Sequence, residues 1–289
     1  MTAPLTAWLN PSSLWQPEFR ARSSWIEHAP FAFWLVSVLR PRQIVELGAF
    51  HGYSYFVFCQ AVAALGLECR CHAVDTWQGD AHAGFYRENV FKSVAVQNEK
   101  YARFSDLKRM TFDAACGSFA DSSIDLLHID GLHTYNAVAH DFATWRTKLS
   151  DRAVVLFHDT NVRARDFGVF RLWAELRNEF QGFEFTHCNG LGILGYGENL
   201  PPEIQAFLAL DSDEAAKAEI RATYHRLGAT IGENLEALVE ENAALRAKLE
   251  ESRAALQALS GGRIAQALFG LPRAATRIAR RTVRRFSSR

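Results

Sequence analysis

Between residues 43 and about 198, short apolar segments that favour β-strands alternate with longer segments that favour helices. The strand-like segments are QIVELGA, CRCHAVDTW, SIDLLHIDG and AVVLFHD, with two terminal strands predicted in FEFTHCNGLGILGYG. Buried strands separated by helices pair in parallel, because each helical crossover carries the chain back to the same end of the sheet. The alternation therefore predicts an α/β fold in which helices cover both faces of a doubly wound sheet.

The composition agrees with a globular chain and argues against several other classes of protein. With 289 residues, of which 48% are hydrophobic, the chain can bury a full core. Its apolar stretches are interrupted well before the roughly 20 residues that a membrane span requires. The segment MTAPLTAWLNPSSLWQ lacks the basic and apolar regions of a signal peptide. Five scattered cysteines indicate free thiols in a reducing compartment, so we expect a cytoplasmic location.

Changes in composition divide the chain into five predicted segments. They are an N-terminal helical cap (1–42), the sheet domain (43–200), a helical linker (201–230), a coiled coil (231–260) and a basic amphipathic tail (261–289). In the coiled-coil segment, six of the eight heptad seam positions are leucine and one is Asn242, a pattern that favours a parallel homodimer. The alternative is a single amphipathic helix that lies on the body of the protein.

The C-terminal tail concentrates positive charge. Residues 263–289 contain eight arginines and no acidic residue, so the rest of the chain carries a net charge of −8. On a helical wheel the arginines and the apolar residues occupy separate faces, which predicts attachment to an anionic membrane surface, here the inner face of the membrane. Docking on the acidic body is the main alternative, and nucleic acid is the least favoured partner. We expect deletion of 263–289 to abolish liposome binding, and unchanged binding would reject the attachment.

A glycine-containing turn follows the first predicted strand. Glu46, Gly48 and Gly52 form the pattern E-x-G-x-x-x-G, in which Gly48 permits a sharp turn and Gly52 opens a helix. Dinucleotide sites prefer G-x-G-x-x-G, and Glu46 would repel phosphates but suits a cation. Asp75 ends the next strand, where an acid can accept hydrogen bonds from both hydroxyls of a ribose. The alternatives are ordinary turn geometry for the glycines and a helix N-cap for Asp75.

A cofactor with a ribose and a positive centre but no phosphate is S-adenosylmethionine. With these residues and the block SIDLLHIDGLHTYNAVAHDFATW, the chain resembles the class I S-adenosylmethionine-dependent methyltransferases, in particular the metal-dependent O-methyltransferases of small molecules and sugars. The resemblance covers roughly residues 25 to 198. It implies a Rossmann-like, seven-stranded sheet whose last strand is antiparallel.

The resemblance also implies roles for individual residues. Glu46, Gly48 and Gly52 would line the methionine side of the cofactor, and Asp75 would hold its ribose. Thr111, after the third strand, would lie beside the adenine.

Two acids follow neighbouring predicted strands. Asp130 ends LLHID and Asp159 ends VVLFHD, so their side chains should converge on one crevice and bind a hard cation such as Mg²⁺. The alternative is that both acids cap helices. Relatives of this kind often supply a third acidic or amide ligand beside the second Asp, whereas this chain offers His158 or Asn161. We therefore predict a metal set of Asp130, Asp159 and His158.

His133 lies three residues after Asp130, at the mouth of the same crevice. A neutral imidazole there can take a proton from a substrate hydroxyl, so we predict that His133 and Asp130 are catalytic. The alternative is that His133 caps the helix that follows. His128, inside a strand, is predicted to be a core residue, and the segment that contains Asp80 and His82 is predicted to cover the acceptor.

These features together predict an S-adenosylmethionine-dependent O-methyltransferase. The methyl group would pass directly to a hydroxyl on a sugar, a glycan or a related metabolite, assisted by Mg²⁺, in a setting such as surface-polysaccharide assembly. One alternative is a nicotinamide-dependent enzyme that modifies sugars. The other is a degenerate methyltransferase domain that serves as an assembly scaffold through its coiled coil.

Overall fold

The computed structural model describes residues 8–21, 23–80, 82 and 84–258. The chain divides into two units, Met1–Glu233 and Asn234–Arg289. The first unit contains the sheet and the candidate site.

The first unit follows a strand–helix order. Its strands are β1 (Gln43–Leu47), β2 (Arg70–Asp75), β3 (Gly79–Asp80), β4 (Gly84–Phe85), β5 (Ser105–Arg109), β6 (Ile124–Ile129), β7 (Leu149–His158), β8 (Gly182–Phe185) and β9 (Leu191–Gly195). The helices are α1 (Ala29–Leu39), α2 (Tyr53–Ala64), α3 (Glu88–Asn98), α4 (Phe112–Cys116), α5 (Tyr135–Trp145), α6 (Val169–Leu176), α7 (Pro202–Ala209) and α8 (Glu214–Ala258), the last of which continues beyond the unit. Short 3₁₀ turns connect several of them.

Seven strands form one sheet in the order β5-β2-β1-β6-β7-β9-β8. The first five pair in parallel, whereas β9 runs antiparallel to both β7 and β8. The central strand β6 is buried at every position, as expected for a strand covered on both faces, and its two polar residues, Asp125 and His128, are buried with it. The predicted Rossmann-like sheet, with its last strand antiparallel, is confirmed.

Two apolar layers cover the sheet. One face packs against α1, α2 and α7, and the other packs against α5 and α6. Helix α1 belongs to the predicted N-terminal helical cap and is almost entirely buried: Phe31 and Trp34 both contact Phe207 of α7. The N-terminal segment is therefore part of the core, because α7 covers its outer side.

An ion pair with a buried carboxylate fixes the amino ends of the central strands. The carboxylate of Asp125 accepts hydrogen bonds from the backbone N–H and the guanidinium of Arg42 and from the hydroxyl of Ser150. Burial alone would raise the pKa of Asp125, but these bonds hold it below its ordinary value. The pair holds β1, β6 and β7 in register, so that their carboxyl ends meet at the opposite edge.

The segment predicted as a helical linker, 201–230, packs on the core instead. Tyr224 is buried and its hydroxyl donates to the carbonyl oxygen of Trp8, and Ile220 is fully buried. Helix α8 has no break at the predicted boundary between residues 230 and 231. The first turns of α8 carry aromatic and aliphatic side chains on one face, and this face packs on the core. This packing explains the difference from the predicted linker.

Later residues of α8 include two predicted seam leucines. Leu245 and Leu249 are 55% and 51% exposed, and the coiled-coil dimer stays a prediction. The basic tail, 261–289, lies outside the described residues. Within the described part of the chain, no helix is both long and apolar enough to cross a membrane.

Candidate active site

A cavity of about 470 Å³ opens at the carboxyl ends of the parallel strands. The segments that follow β1, β2, β5, β6 and β7 line it, so it occupies the crevice where the strand order reverses beside β1. Ligands of open α/β sheets bind in this position, because the loops after neighbouring strands diverge there. The volume suits a ligand of cofactor size.

The turn after β1 forms the floor of the cavity. Gly48 has φ +92°, and a Cβ atom there would lie 2.1 Å from the carbonyl oxygen of Asp130. Its N–H donates to the carbonyl oxygen of Val74, which ties β1 to β2. Gly52, with φ +82°, is the N-cap of α2. Both predicted glycines are therefore required by the backbone, and Gly48 also lines the cavity.

Asp75 joins two turns at the cavity wall. Its carboxylate accepts hydrogen bonds from the N–H of Phe50 at 3.0 Å and from the N–H of Trp77 at 2.7 Å. The indole N–H of Trp77 donates in turn to the carbonyl oxygen of Phe50. Burial raises the pKa of Asp75, although the two N–H groups oppose the rise. Asp75 does not cap a helix, since the next one, α3, begins at Glu88.

Glu46 does not line the cavity, which differs from the predicted position. Its carboxylate is fully buried, accepts a hydrogen bond from Ser54 at 2.9 Å and lies 3.0 Å from Nδ1 of His128. Glu46 and His128 are partners in the parallel β1–β6 register, so their side chains leave the sheet on the same face. Burial raises the pKa of Glu46, while His128 lowers it. Glu46 thus reaches the cavity only through Ser54, and the prediction of His128 as a core residue agrees with its burial.

Asp130, His133 and Asp159 converge on the opposite wall. Nε2 of His133 lies 2.7 Å from Oδ2 of Asp159 and 3.5 Å from Oδ1 of Asp130. One ligand atom from each residue falls within 4.8 Å of the others, a spacing that can hold a metal ion. Asp159 has φ +63°, an unusual conformation for a non-glycine residue and one found at ligand-binding sites.

The charges in this set balance one another. Burial lowers the pKa of His133, but hydrogen bonds to Asp130 and Asp159 outweigh it and raise the value to about 9. Burial would raise the pKa values of both acids, but the neighbouring His158 and the bond from His133 hold them low. A proton on His133 therefore lies between two carboxylates, in a place where a cation can bind.

His158, predicted as a metal ligand, does not belong to this set. Its Nδ1 lies 3.2 Å from Oδ1 of Asp130, and its Nε2 lies 3.1 Å from the carbonyl oxygen of Cys188. Its Nδ1 also lies 3.4 Å from Oδ2 of Asp159, so His158 contacts both acids from the buried end of β7. Both of its ring nitrogens face acceptors, and neither is left to bind a cation. His133, predicted as the base, takes the third position. Asn161 donates to the carbonyl oxygen of Thr186 and does not line the cavity.

Thr111 stands at the far end of the cavity. It is the N-cap of α4, where its hydroxyl oxygen accepts from the N–H of Ala114, and it lines the cavity together with Phe112. This position is compatible with the adenine contact, which stays a prediction.

Residues that the sequence did not single out complete the mouth. Phe167 stacks against His133, and Tyr86 packs on Phe50 with ring centroids 4.7 Å apart. His82, predicted in a covering segment, lines the cavity beside them. The periodicity of apolar residues could not indicate Phe167, because this residue belongs to an irregular loop between β7 and α6.

A family model described as a methyltransferase domain matches residues 45–160. The match spans β1 to the end of β7 and contains Asp75, Asp130, His133 and Asp159. The match lies within the predicted sheet domain and agrees with the resemblance to methyltransferases.

A curated relative, the uncharacterized protein y4gI of Sinorhizobium fredii, is 53% identical over 186 residues, which are 64% of this chain. The aligned residues span only 20% of that relative, so the chain corresponds to about a fifth of its length.

Two solved structures are among those to which this chain is similar. A methyltransferase from Geobacter sulfurreducens is 14% identical, with 61% of this chain and 80% of that chain covered and a TM-score of 0.45. The O-methyltransferase TomG from Streptomyces achromogenes, in complex with S-adenosylmethionine, is 15% identical, with 63% and 83% covered and a TM-score of 0.46. These low scores and identities do not assign an activity.

Proposed function

We propose that this chain, whose residues 45–160 match a methyltransferase domain, is an S-adenosylmethionine-dependent O-methyltransferase. Its acceptor is an uncharged hydroxyl compound such as a sugar or glycan, and a divalent cation assists the transfer. The observation that carries the proposal is that a single crevice holds the Gly48 turn, Asp75 and the set of Asp130, His133 and Asp159.

The cofactor side of the cavity supports S-adenosylmethionine over a dinucleotide. Four aspartates line the cavity, and its described lining residues include neither lysine nor arginine. Such a wall attracts a sulfonium and repels a pyrophosphate. The oxygens of Asp75 can each accept a further hydrogen bond from a ribose hydroxyl. S-adenosylmethionine, when bound, supplies an electrophilic methyl group on its sulfonium.

The acceptor side supports a small, hard cation. Asp130 and Asp159 offer carboxylate oxygens, and His133 offers Nε2. Oδ1 of Asp159 is buried and has no hydrogen-bond partner among the described residues, which leaves a buried lone pair to be satisfied. A donor set rich in oxygen fits Mg²⁺ or Mn²⁺. When bound, such an ion would lower the pKa of a hydroxyl that coordinates it.

The geometry favours His133 as a ligand rather than as a general base. A base must be neutral at the working pH, whereas the carboxylates of Asp130 and Asp159 raise the pKa of His133 to about 9. A cation would replace the proton that His133 carries between these carboxylates. The remaining contribution of the protein is positioning, because aligning the acceptor oxygen with the methyl group supplies much of the rate.

The acceptor is expected to carry no phosphate or carboxylate. The acidic wall would repel an anion, and none of the described lining residues is a lysine or an arginine that could pair with one. Aromatic side chains at the mouth, Phe50, Tyr86 and Phe167, offer flat faces on which a sugar ring can pack.

Calorimetric titration with S-adenosylmethionine, with and without Mg²⁺, tests the proposal. We expect micromolar binding, no binding of NAD, and loss of S-adenosylmethionine binding in Asp75→Ala. Asp75→Asn, which keeps the shape and one acceptor oxygen, should bind more weakly than the unaltered chain but better than Asp75→Ala.

Asp121→Ala is the matched control, since Asp121 is 72% exposed and pairs with Lys148 away from the cavity. It should bind the cofactor normally. Failure of the unaltered chain to bind S-adenosylmethionine would reject the proposal and favour the scaffold. Binding of NAD instead would favour the nicotinamide-dependent enzyme.

A further inference from the structure

Two loops meet on the outer side of His133. His82 follows β3, and Asp166 and Phe167 lie between β7 and α6. The side chain of His82 is only 5% exposed although it stands in a loop. The rings of His82 and His133 both lie nearly parallel to Phe167, with centroids 4.6 and 4.8 Å from it. Aromatic packing therefore fixes the two imidazoles relative to each other.

The backbone holds both loops in this arrangement. The N–H of Gly168 donates to the carbonyl oxygen of His133, and Thr134 forms an isolated β-bridge with Phe167. On the other side, the N–H of His82 donates to the carboxylate of Asp80 at 2.7 Å. The contact between the imidazoles is thus supported from two parts of the chain.

When His82 is neutral, the hydrogen bonds in this cluster have a defined direction. Nε2 of His82 lies 2.8 Å from Oδ1 of Asp166, and a carboxylate can only accept, so Nε2 carries the hydrogen. In a neutral imidazole the other nitrogen, Nδ1, is then an acceptor. Nδ1 of His82 lies 3.3 Å from Nδ1 of His133, so His133 is the donor in this bond.

The direction of this hydrogen bond determines which nitrogen of His133 faces the metal set. Because Nδ1 of His133 carries the hydrogen that it donates to His82, the nitrogen available to a ligand is Nε2. That atom faces Asp159 at 2.7 Å and Asp130 at 3.5 Å. When a cation replaces the proton on Nε2, the hydrogen on Nδ1 remains, and this is the tautomer that a metal-binding histidine needs.

We infer that Asp166 and His82 are a positioning pair, which sets the tautomer and orientation of His133 so that its Nε2 binds a divalent cation together with Asp130 and Asp159. The inference rests on the proposed function, since it assumes a cation at that set. Metal-binding histidines commonly donate to a carboxylate, a carbonyl or a water. Here His82 lies between the metal ligand, His133, and the carboxylate of Asp166. A loop across the cavity therefore orients one ligand of the metal site.

The affinity of the purified full chain for Mn²⁺, measured by electron paramagnetic resonance without acceptor, tests the pair. His82→Phe keeps an aromatic ring beside Phe167 but removes both nitrogens, and we expect Mn²⁺ to bind about 10–100-fold more weakly. His82→Asn places an acceptor near the position of Nδ1 and should recover most of the affinity. Asp166→Ala, at an exposed carboxylate, should weaken binding in the same direction.

His140→Phe is the matched control. His140 forms a similar pair with Asp113 at 2.8 Å, but both side chains are exposed and neither lines the cavity. This variant should bind Mn²⁺ as the unaltered chain does, and thermal unfolding should show that all variants are folded.

Three results would overturn the inference. Unchanged Mn²⁺ affinity in His82→Phe would show that His82 does not orient His133. Equal losses in His82→Phe and His82→Asn would assign His82 a structural role. If the unaltered chain binds S-adenosylmethionine but no Mn²⁺, the metal part of the proposed function fails together with this inference, while the cofactor site stands.

Discussion

Gly48→Ala is expected to abolish binding of S-adenosylmethionine. A Cβ atom at this position would lie 2.1 Å from the carbonyl oxygen of Asp130, and the backbone there has φ +92°. An alanine would have to adopt a left-handed conformation and push away the strand end that carries Asp130. Both the cofactor wall and the acid set would then shift, so calorimetry should detect no binding at cofactor concentrations that saturate the unaltered chain.

Gly117→Ala is the control for this substitution. Gly117 ends α4 with φ −63°, and a Cβ there would meet no atom within 4 Å. Its cofactor affinity should equal that of the unaltered chain. Thermal unfolding separates loss of the site from loss of the fold, and normal cofactor binding by a folded Gly48→Ala variant would contradict the proposed role of the turn.

Asp159→Asn is expected to lower the affinity for Mn²⁺ by more than about 100-fold, beyond the loss expected for a residue that only supports a ligand. The substitution keeps the shape of the side chain but removes one of two carboxylates in the set of Asp130, His133 and Asp159. Methyl transfer to an acceptor found by screening sugars should fall by about 10²–10⁴-fold, if the cation supplies several kcal/mol of stabilisation.

Asp151→Asn tests whether such losses are specific. Asp151 belongs to the same strand, β7, but is exposed at its other end, where it accepts a hydrogen bond from Asn199. It should bind Mn²⁺ and transfer methyl groups normally. Methyl transfer by Asp159→Asn at the full rate, or by the unaltered chain after removal of metals with EDTA, would contradict a role for the cation.

Much of the fold could be predicted from the sequence, because the spacing of apolar residues and the alternation of strand-like and helical segments are local signals. The positions of Asp75, Asp130 and Asp159 followed from the same reasoning, since acids that end parallel strands must meet at one edge. The third member of the acid set could not be chosen in this way. His158 is adjacent to Asp159 in sequence and contacts both acids, but its two ring nitrogens already face Oδ1 of Asp130 and the carbonyl oxygen of Cys188, which leaves neither free to bind a cation.

The contact between the loops that carry His82 and Asp166 could not be predicted from the sequence either. His82 and Asp166 are 84 residues apart, and neither belongs to a periodic element that would fix its direction. Glu46 could be assigned to a strand end from the sequence. Its carboxylate contacts His128, however, because the β1–β6 register places the two residues side by side, and the sequence alone does not reveal that register. The sequence predicted a helical linker over 201–230 and a coiled coil over 231–260, whereas one helix, α8, crosses the boundary and its first turns are buried on the core.

The link that Asp75 forms between two turns has a consequence for recognition of the cofactor. Phe50 and Trp77 have φ +47° and +51°, conformations that cost energy for residues other than glycine, and the carboxylate of Asp75 holds both N–H groups. The chain's own hydrogen bonds thus preorganise the loops around the predicted ribose position. Binding therefore gives up little backbone entropy, and more of the interaction energy remains as affinity.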